Sequence, residues 1–163
     1  MSTQNFLQPL EFELSIKRLP NVEFSIQRAS IPGINMSFAT HPTPFNNVYH
    51  SPDKIEYQEL NITFTVDEYA GNFIEVFDWM HGLAFPQSYD QFKTLDRSDA
   101  GLYSDIILMI KNSAKRPNLK IQFINAFPIS LSEINLDTTQ SDIIYPEATV
   151  TFKYDSYKII RNS

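Results

Sequence analysis

The chain has 163 residues, 42% of them hydrophobic and 20% charged, with a formal net charge of -6. This composition predicts a single globular domain over residues 1–163 with a sizeable core, and it excludes a disordered chain. The acidic balance argues against a nucleic-acid reader, which needs a basic surface for the phosphates. Cysteine is absent, which excludes disulfides, thiolate metal sites and cysteine nucleophiles.

Two further kinds of segment are not expected. No apolar run approaches the roughly 20 residues that span a bilayer, so we predict no membrane segment. The first five residues are polar and uncharged, which is not the pattern of a signal peptide.

The chain opens with two short runs, residues 12–17 and 22–27, in which apolar and polar residues alternate. Alternation with period two is typical of strands with one buried face. Pro20 and Asn21 lie between the runs and favour a turn. The pattern therefore predicts a β-hairpin over residues 10–29.

The segment from residue 31 to residue 59, termed the arm, has a different texture. It holds four prolines and no sustained periodicity, and so long a connection without regular structure is unusual inside a domain. It is nevertheless rich in apolar side chains, unlike a disordered linker. We therefore predict an extended arm that contacts another surface through Ile34, Met36, Phe38, Phe45, Val48 and Tyr49.

Residues 60–66 alternate more clearly than any other run and predict a strand. A helix is predicted next, with Asn72 as N-cap, Glu75 completing a capping box and Gly82 as the stop. Its apolar face is expected to contain Phe73, Val76, Phe77 and Met80, widened by Ile74 and Trp79. A short second helix is predicted from Ser88, with Tyr89, Phe92 and Leu95 inward.

The C-terminal half returns to β structure. Residues 106–110 predict a strand covered on both faces, and residues 119–123 predict its hairpin partner, which ends at 126–128. An extended segment over 129–136 and a last strand over 148–154 follow. Together these elements predict a mainly β fold, a sandwich or barrel with one flanking helix.

Candidate catalytic and metal-binding residues are few. His41 and His50 lie in the arm near Asp53, but their spacing matches no ligand motif, so we predict no metal site. His81 is expected to complete the last turn of the helix, where a cation is favoured.

Other charged groups are also expected to be structural. The carboxylate pairs are predicted to lie in polar loops rather than to face each other across a glycosidase cleft. These pairs are Asp67/Glu68, Asp96/Asp99 and Asp137/Asp142, and the one basic cluster, at a predicted hairpin tip, is Lys111, Lys115, Arg116 and Lys120. The four glycines are scattered singly and form no phosphate loop. The sequence therefore predicts no catalytic residue, no cofactor and no enzyme.

The polar faces of the predicted strands are mostly uncharged and rich in threonine, which keeps a sheet face hydrated. They comprise Asn61, Thr63, Thr65, Gln122, Thr149 and Thr151, with Lys120 and Lys153. A hydrated face beside an apolar arm suggests a subunit of an assembly, whose arm docks on a neighbour and whose strand edges other subunits close. A monomeric sandwich whose arm folds back on its own core is the alternative at this point.

Several short motifs follow one another along the chain. They are ASIPGI at 29–34, the proline-containing arm, YQELNITFTVDE at 57–68, FDWM at 77–80, FINAFP at 123–128, LSEINLD at 131–137 and ATVTFKYD at 148–155. Over residues 12–159 this order resembles the tail tube proteins of contractile-tailed bacteriophages. That group is related to Hcp-type secretion tubes and to the baseplate proteins that initiate the tube.

The resemblance implies a structural virion protein. In this family six subunits close into a ring whose inner strands form one barrel, and the rings stack into the conduit for DNA delivery. The arm would then reach the adjacent ring, and the hydrated strand faces would line the lumen without binding DNA specifically. The implied partners are copies of the chain, an outer sheath, and baseplate and tail-terminator proteins at the ends. The protein would reside in the virion tail after synthesis in the host cytoplasm.

Two alternatives stay open. A baseplate or tail-end adaptor shares the fold and would form a single ring. A monomeric carbohydrate-binding sandwich would instead use exposed aromatic side chains as platforms for sugar rings, and the candidates are Tyr49, Trp79, Tyr89 and Tyr103.

Overall fold

The computed structural model describes residues 7, 10–52, 54–84, 90, 93 and 101–161. Its elements are β1 (Phe12–Ile16), α1 (Pro20–Ser25), β2 (Ile26–Ala29), β3 (Ile34–Met36), β4 (Ala39–Pro42), β5 (Asn47–His50), β6 (Ile55–Tyr57), β7 (Leu60–Thr65), α2 (Gly71–Ala84), β8 (Ser104–Lys111), β9 (Pro117–Leu131), β10 (Glu147–Lys153) and β11 (Ser156–Arg161). The predicted mainly β fold is confirmed. Among the described residues, no helix is long and apolar enough to cross a bilayer.

Strands β3 to β6 form the arm, and the others form one antiparallel network in the order β1-β8-β9-β10-β7-β2, with β11 paired to β9. The long strand β9 is shared, because its first half pairs with β8 and β11 and its second half pairs with β10. It joins two groups, termed the first sheet (β1-β8-β9-β11) and the second sheet (β9-β10-β7-β2). Both bury one face in a single core around Phe64, Phe123 and Phe152, as in a sandwich.

The strand β9 passes from one sheet to the other at Asn125, whose φ of 55° lies in the left-handed region. Asparagine tolerates this conformation better than most residues. Its backbone N donates to Asp105 Oδ1 at 3.2 Å, and its Nδ2 donates to Asp155 Oδ2 at 2.7 Å. The prediction that the strand ends at 126–128 is wrong, because the bend carries it onward to new backbone partners in the second sheet.

The predicted hairpin over residues 10–29 is also wrong. β1 pairs with β8, β2 pairs with β7, and residues 20–25 between them form the helix α1. Pro20 begins this helix, where its fixed φ is favourable and its missing amide hydrogen breaks no hydrogen bond. Val22 is buried, whereas Phe24 is 90% exposed. Six residues are too few for periodicity to separate a strand from a helix.

The predicted main helix is confirmed as α2, but its start differs from the prediction. Asp67 Oδ1 accepts the backbone N–H of Gly71 at 2.6 Å, so a residue before the helix supplies the cap. Asn72, the predicted N-cap, is instead buried in the first turn. Its Nδ2 donates to Ser25 Oγ and to Thr65 O, both at 2.8 Å. This one amide group ties α1 and β7 to α2.

The buried face of α2 also differs from the prediction. Val76 and Trp79 are buried, while Ile74 and Phe77 are about half exposed. Gly82 is buried within the helix, which continues to Ala84. The second predicted helix, from Ser88 with Tyr89, Phe92 and Leu95, lies outside the described residues.

Asn125 provides a test of the bend. Replacing it by alanine is expected to lower the free energy of unfolding by about 1–3 kcal/mol, because alanine disfavours positive φ and loses the bond to Asp155. Asn125→Gly keeps the backbone conformation available and loses only the side-chain bond, so it should cost less. Urea denaturation of both variants and the wild type measures the difference. An alanine variant as stable as the wild type contradicts this account of the bend.

Candidate assembly interface

The arm leaves the second sheet between β2 and β7 as a long hairpin of two successive ribbons. β3 pairs with β6 near the base, and β4 pairs with β5 toward the tip. The expectation of no regular structure is therefore wrong. Each arm strand has only three or four residues, which is too short to show a period in the sequence.

The arm strands lie outside the core, since every strand residue is exposed except Tyr57, which is half-buried. Phe45 at the tip is 100% exposed. The other predicted contact residues are also exposed, namely Ile34, Met36, Phe38, Val48 and Tyr49. A two-stranded ribbon is marginally stable by itself, and contiguous exposed apolar surface of this kind marks a protein contact.

The distal ribbon has two faces. On one, Phe38 and Tyr49 meet edge to face with their ring centroids 5.3 Å apart. On the other, His41 and His50 lie with their centroids 6.5 Å apart, on the same side as Val48 by the strand register. The described residues contain no group of three or more histidines and carboxylates that could hold a metal, and Asp53 lies outside them.

The arm also differs from the rest of the chain in charge. Residues 29–52 contain no aspartate, glutamate, lysine or arginine, although 20% of the chain is charged. Burying a formal charge against a partner requires desolvation, which costs free energy unless the charge is paired. Residues 31–52 of the arm can therefore be covered by another protein surface without that cost, whereas Lys54, Glu56 and Glu59 lie nearer its base.

Two tyrosines hold the base of the arm against the domain. Tyr157 Oη donates to Pro32 O at 3.1 Å on the outgoing leg, and Tyr154 Oη donates to Gln58 O at 2.6 Å on the returning leg. Between the legs, Gln58 N donates to Gly33 O at 3.0 Å. These three hydrogen bonds set the direction in which the arm leaves the sheet.

An aromatic cluster surrounds the two hydroxyl groups. The rings of Tyr57, Phe123, Tyr154 and Tyr157 pack together, with centroid distances from 5.0 to 6.1 Å. Burial raises the pKa of Tyr154 to about 12, and the neighbouring phenols of Tyr157 and Tyr57 contribute to the shift. Tyr154 therefore remains a hydrogen-bond donor over the whole neutral and mildly alkaline range.

The second sheet presents one hydrated face. Thr63 on β7 and Thr149 on β10 are directly opposite each other, and their Oγ1 atoms share a hydrogen bond of 3.0 Å. At the next cross-strand pair on the same face, Thr151 Oγ1 donates to Asn61 Oδ1 at 2.8 Å. Thr65 continues the same face in the other direction, so the structure brings five of the six predicted hydrated-face residues together.

The sixth residue, Gln122, lies in the first half of β9 and hence in the first sheet. Its Nε2 donates to Asp105 Oδ2 at 3.3 Å. Lys120 belongs to the same half of β9, whereas Lys153 is the last residue of β10. Arg28 on β2 lies directly opposite Thr63 and pairs with Glu147 at 3.6 Å, so the hydrated face also carries this ion pair.

The aromatic residues considered as sugar platforms are scattered. Trp79 is buried, its Nε1 donates to Leu102 O at 3.1 Å, and the Arg18 guanidinium lies 5.2 Å from its ring centroid. Tyr103 is half exposed and packs against Phe127. Tyr49 lies on the arm, and Tyr89 is outside the described residues. Tyr49, Trp79 and Tyr103, which the structure does describe, do not form one platform.

Several of the charged groups singled out in the sequence have partners in the structure. Asp137 accepts hydrogen bonds from the backbone N and Oγ1 of Thr139, and these bonds hold the pKa of that carboxyl below its usual value. Lys111 pairs with Glu13 at 2.9 Å. The ring of His81 lies 4.2 Å from that of Phe77, in the last part of α2. Asp96 and Asp99 lie outside the described residues.

The sequence analysis missed a second exposed apolar surface. The loop of residues 132–146, between β9 and β10, exposes Leu136, Ile143, Ile144 and Tyr145. A run of three large apolar residues between an aspartate and a proline is the signal that could have indicated it, since an exposed apolar run in a polar loop marks a contact.

A family model described as phage tail tube protein matches residues 4–160. Among solved structures, the chain is similar to a protein of the anti-feeding prophage baseplate, at 13% identity and a TM-score of 0.65, over 99% of this chain and 98% of that chain. It is similar to a protein of the sheath–tube complex of the extracellular contractile injection system PVC in its extended state. That match has 19% identity and a TM-score of 0.64, over 96% of this chain and 92% of that chain.

A third similar structure is the tube-terminating cap of the anti-feeding prophage, at 17% identity and a TM-score of 0.60, over 99% of this chain and 95% of that chain. At these identities the solved structures show a shared fold. No curated protein sequence matches the chain.

The shifted pKa of Tyr154 predicts an alkaline loss of stability. Its value of about 12 in the folded chain, against 10.0 for the free side chain, means that Tyr154 stabilises the fold below pH 10. This contribution is lost as the pH rises from 10 through 12. In Tyr154→Phe the loss over this window should be smaller than in the wild type, as measured by urea denaturation at a series of pH values.

The matched control is Tyr49→Phe, which removes an exposed hydroxyl from the arm. It should lose stability over the alkaline window as the wild type does. A Tyr154→Phe variant with the same pH dependence as this control contradicts the assignment.

Proposed function

The chain belongs to the phage tail tube protein family, and from that premise we propose that it is the subunit of the inner tail tube of a contractile particle. Six copies close into a ring, and rings stack into a hollow conduit for DNA delivery. The observation that carries the proposal is the arm, a hairpin that projects from the sandwich, exposes apolar side chains toward its tip and carries no formal charge over residues 31–52. The action is mechanical rather than enzymatic.

In this proposal the arm is the ring–ring contact. Fully burying a large apolar side chain contributes about 1.5–3 kcal/mol, so the three aromatic residues Phe38, Phe45 and Tyr49 contribute several kcal/mol for each arm. Repetition over six arms gives on the order of tens of kcal/mol per ring contact, before the cost of immobilising each ring is subtracted. The absence of formal charge over residues 31–52 supports this assignment, because no charged side chain of that stretch has to be desolvated in the contact.

The second sheet is proposed to close the ring. Each of its outer strands, β2 and the second half of β9, is paired on one side only within the described part of the chain. Such edges template pairing with another chain. Joining β2 of one copy to β9 of the next gives a heterologous contact, which closes into a ring when the rotation allows.

The hydrated face is proposed to line the lumen. Asn61, Thr63, Thr65, Thr149 and Thr151 offer hydroxyl and amide groups that already hydrogen-bond one another across the strands. The cations on this face are few, since Arg28 is paired with Glu147 and Lys153 lies at the end of β10, so DNA is expected to pass without specific binding. An outer sheath and baseplate and terminator proteins at the ends complete the proposed set of partners. The protein would be made in the host cytoplasm and reside in the virion tail.

A baseplate or tail-end adaptor is the second candidate. The matched structures include a baseplate protein and a tube-terminating cap, with TM-scores of 0.65 and 0.60, beside the sheath–tube protein at 0.64. The three TM-scores are too similar to distinguish a tube subunit from a baseplate or tail-end adaptor. An adaptor would form one ring and stop, whereas a tube subunit would form stacks of many rings.

The arm can be tested by replacing Phe45 and Tyr49 with serine. Both side chains are exposed in the single subunit, so the monomer should keep its stability within about 0.5 kcal/mol. Ring stacking should weaken strongly. Negative-stain electron microscopy over a concentration series is expected to show six-fold rings or hollow tubes for the wild type and unstacked rings for the variant.

The control is Phe24→Ser, which removes an aromatic ring as exposed as those of the arm but located on α1. It should assemble as the wild type does. Normal tubes from the Phe45/Tyr49 variant would contradict the assignment of the arm as the ring–ring contact. Monodisperse single domains from the wild type at every concentration would instead favour the carbohydrate-binding alternative.

The lumen assignment can be tested by labelling, because the chain has no cysteine of its own. Asn61→Cys is expected to react with a bulky maleimide in the monomer and to be protected in assembled tubes. A small maleimide that diffuses through the lumen should label both states. The control is Asp78→Cys on the exposed side of α2, which should react with both reagents in both states. Rapid bulky labelling of Asn61→Cys in tubes contradicts the assignment.

A further inference from the structure

The loop of residues 132–146, termed the acidic loop, exposes four large apolar side chains and has no role in the proposed ring. We propose that it is the surface that receives the arm of another copy of the chain. This inference rests on the proposed stacking function and deepens it by naming the second half of the contact. Three independent observations support it, namely position, surface chemistry and charge.

The arm and the acidic loop lie at opposite ends of the second sheet. Both legs of the arm meet the sheet near Asn61, since Ser30 N donates to Asn61 O and the returning leg runs directly into β7. The acidic loop meets the other end of the same strands, where Val66 N donates to Pro146 O. The six residues of β7 separate the two ends by about 17 Å.

Opposite placement is the geometry that stacking needs. A contact between two different surfaces repeats without limit when the surfaces lie at opposite ends of the subunit. If the arm met another arm, two rings would join and the stack would stop. The acidic loop is a large apolar surface at the far end, so it is available to an arm from the next ring.

The surface of the acidic loop matches the arm in apolar character. Its exposed apolar side chains are Leu136, Ile143, Ile144 and Tyr145, and they lie among exposed polar residues. The loop is held at its beginning by Ser132, whose Oγ accepts from Thr149 N at 2.8 Å, and Ile134 packs against the core. Asp137 and Thr139 form a hydrogen-bonded turn near its middle. The apolar side chains are thus presented on an anchored loop.

The negative charge of the acidic loop favours the arm of another copy, rather than a second acidic loop, as its binding partner. Residues 132–146 contain three carboxylates, Glu133, Asp137 and Asp142, and no lysine or arginine. Two such loops in contact would bring like charges together in a partly desolvated interface, which is unfavourable. The arm carries no carboxylate over residues 29–52, and its ionisable side chains there are His41, His50 and Tyr49. It is therefore a compatible partner.

The contact can be tested by crosslinking in assembled particles, since the native chain has no cysteine. In Asn46→Cys/Ser141→Cys one thiol lies at the arm tip and the other in the acidic loop, and both parent residues are exposed. A short bis-maleimide should convert tubes into a ladder of covalent oligomers on a denaturing gel. The matched control, Asn46→Cys/Ser113→Cys, places the second thiol in the turn between β8 and β9 and should give no ladder.

A second variant keeps the inference testable if the crosslinking pair assembles poorly. Ile143→Ser/Ile144→Ser should form rings but at least tenfold fewer stacks than the wild type at equal concentration, with the monomer equally stable. Phe24→Ser again serves as the assembled control. Tubes without a ladder, or normal stacking of the Ile143/Ile144 variant, overturn the acceptor assignment and leave the tube proposal standing. Failure of the wild type to form rings or tubes removes the tube proposal and this inference with it.

Discussion

The architecture depends on the passage of β9 from one sheet to the other. A straight strand of 15 residues would be roughly 50 Å long and would project beyond any sandwich of this size. The left-handed residue Asn125, held by Asp105 and Asp155, bends the strand so that both halves border the same core. The bend leaves β10 and β7 on one side with a hydrated outer face. It also leaves the second half of β9 and β2 as outer strands with an open side in the described part of the chain.

In this arrangement the residues proposed to have a function lie on exposed surfaces rather than in a pocket. The core is apolar, and its polar members serve the fold, as Asn72 does in joining α1, β7 and α2. The apolar arm, the hydrated face and the acidic loop are then attached to the same four strands. Their relative positions follow from strand direction, because the arm joins β7 at its beginning and the acidic loop joins β10 at its beginning, and these strands run antiparallel.

Much of the fold follows from local pattern. The strands β7 and β10 were predictable because each alternates over six or more residues and buries one side. The strand β8 was predicted from a continuous apolar run, but the prediction that both of its faces are covered is wrong, since one face is buried and the other is only half-buried. The helix α1 and the ribbons of the arm were not, since each is too short to establish a period. Gln122 has the composition of the hydrated face but lies in the first sheet, because the bend at Asn125 is a tertiary feature without a sequence signature beyond one asparagine. The apolar side chains of the acidic loop have no periodicity, so their position outside the core could be indicated only by the polar residues and the proline that flank the run at 143–145.

A small rotation at the base of the arm produces a large displacement at its tip. From Gly33 to Phe45 the hairpin is long enough to extend roughly 40 Å at about 3.3 Å per residue. A rotation of about 10° at the base would therefore displace the tip by about 7 Å, more than the roughly 5.4 Å of one helical turn. The hydroxyls of Tyr154 and Tyr157 each hold one leg at the base. These two hydrogen bonds in the body of the protein thus limit how far the ring of Phe45 can move at the tip. If the base were flexible, the tips of neighbouring arms would occupy a wide range of positions, and they could not all bind the next ring at the same time.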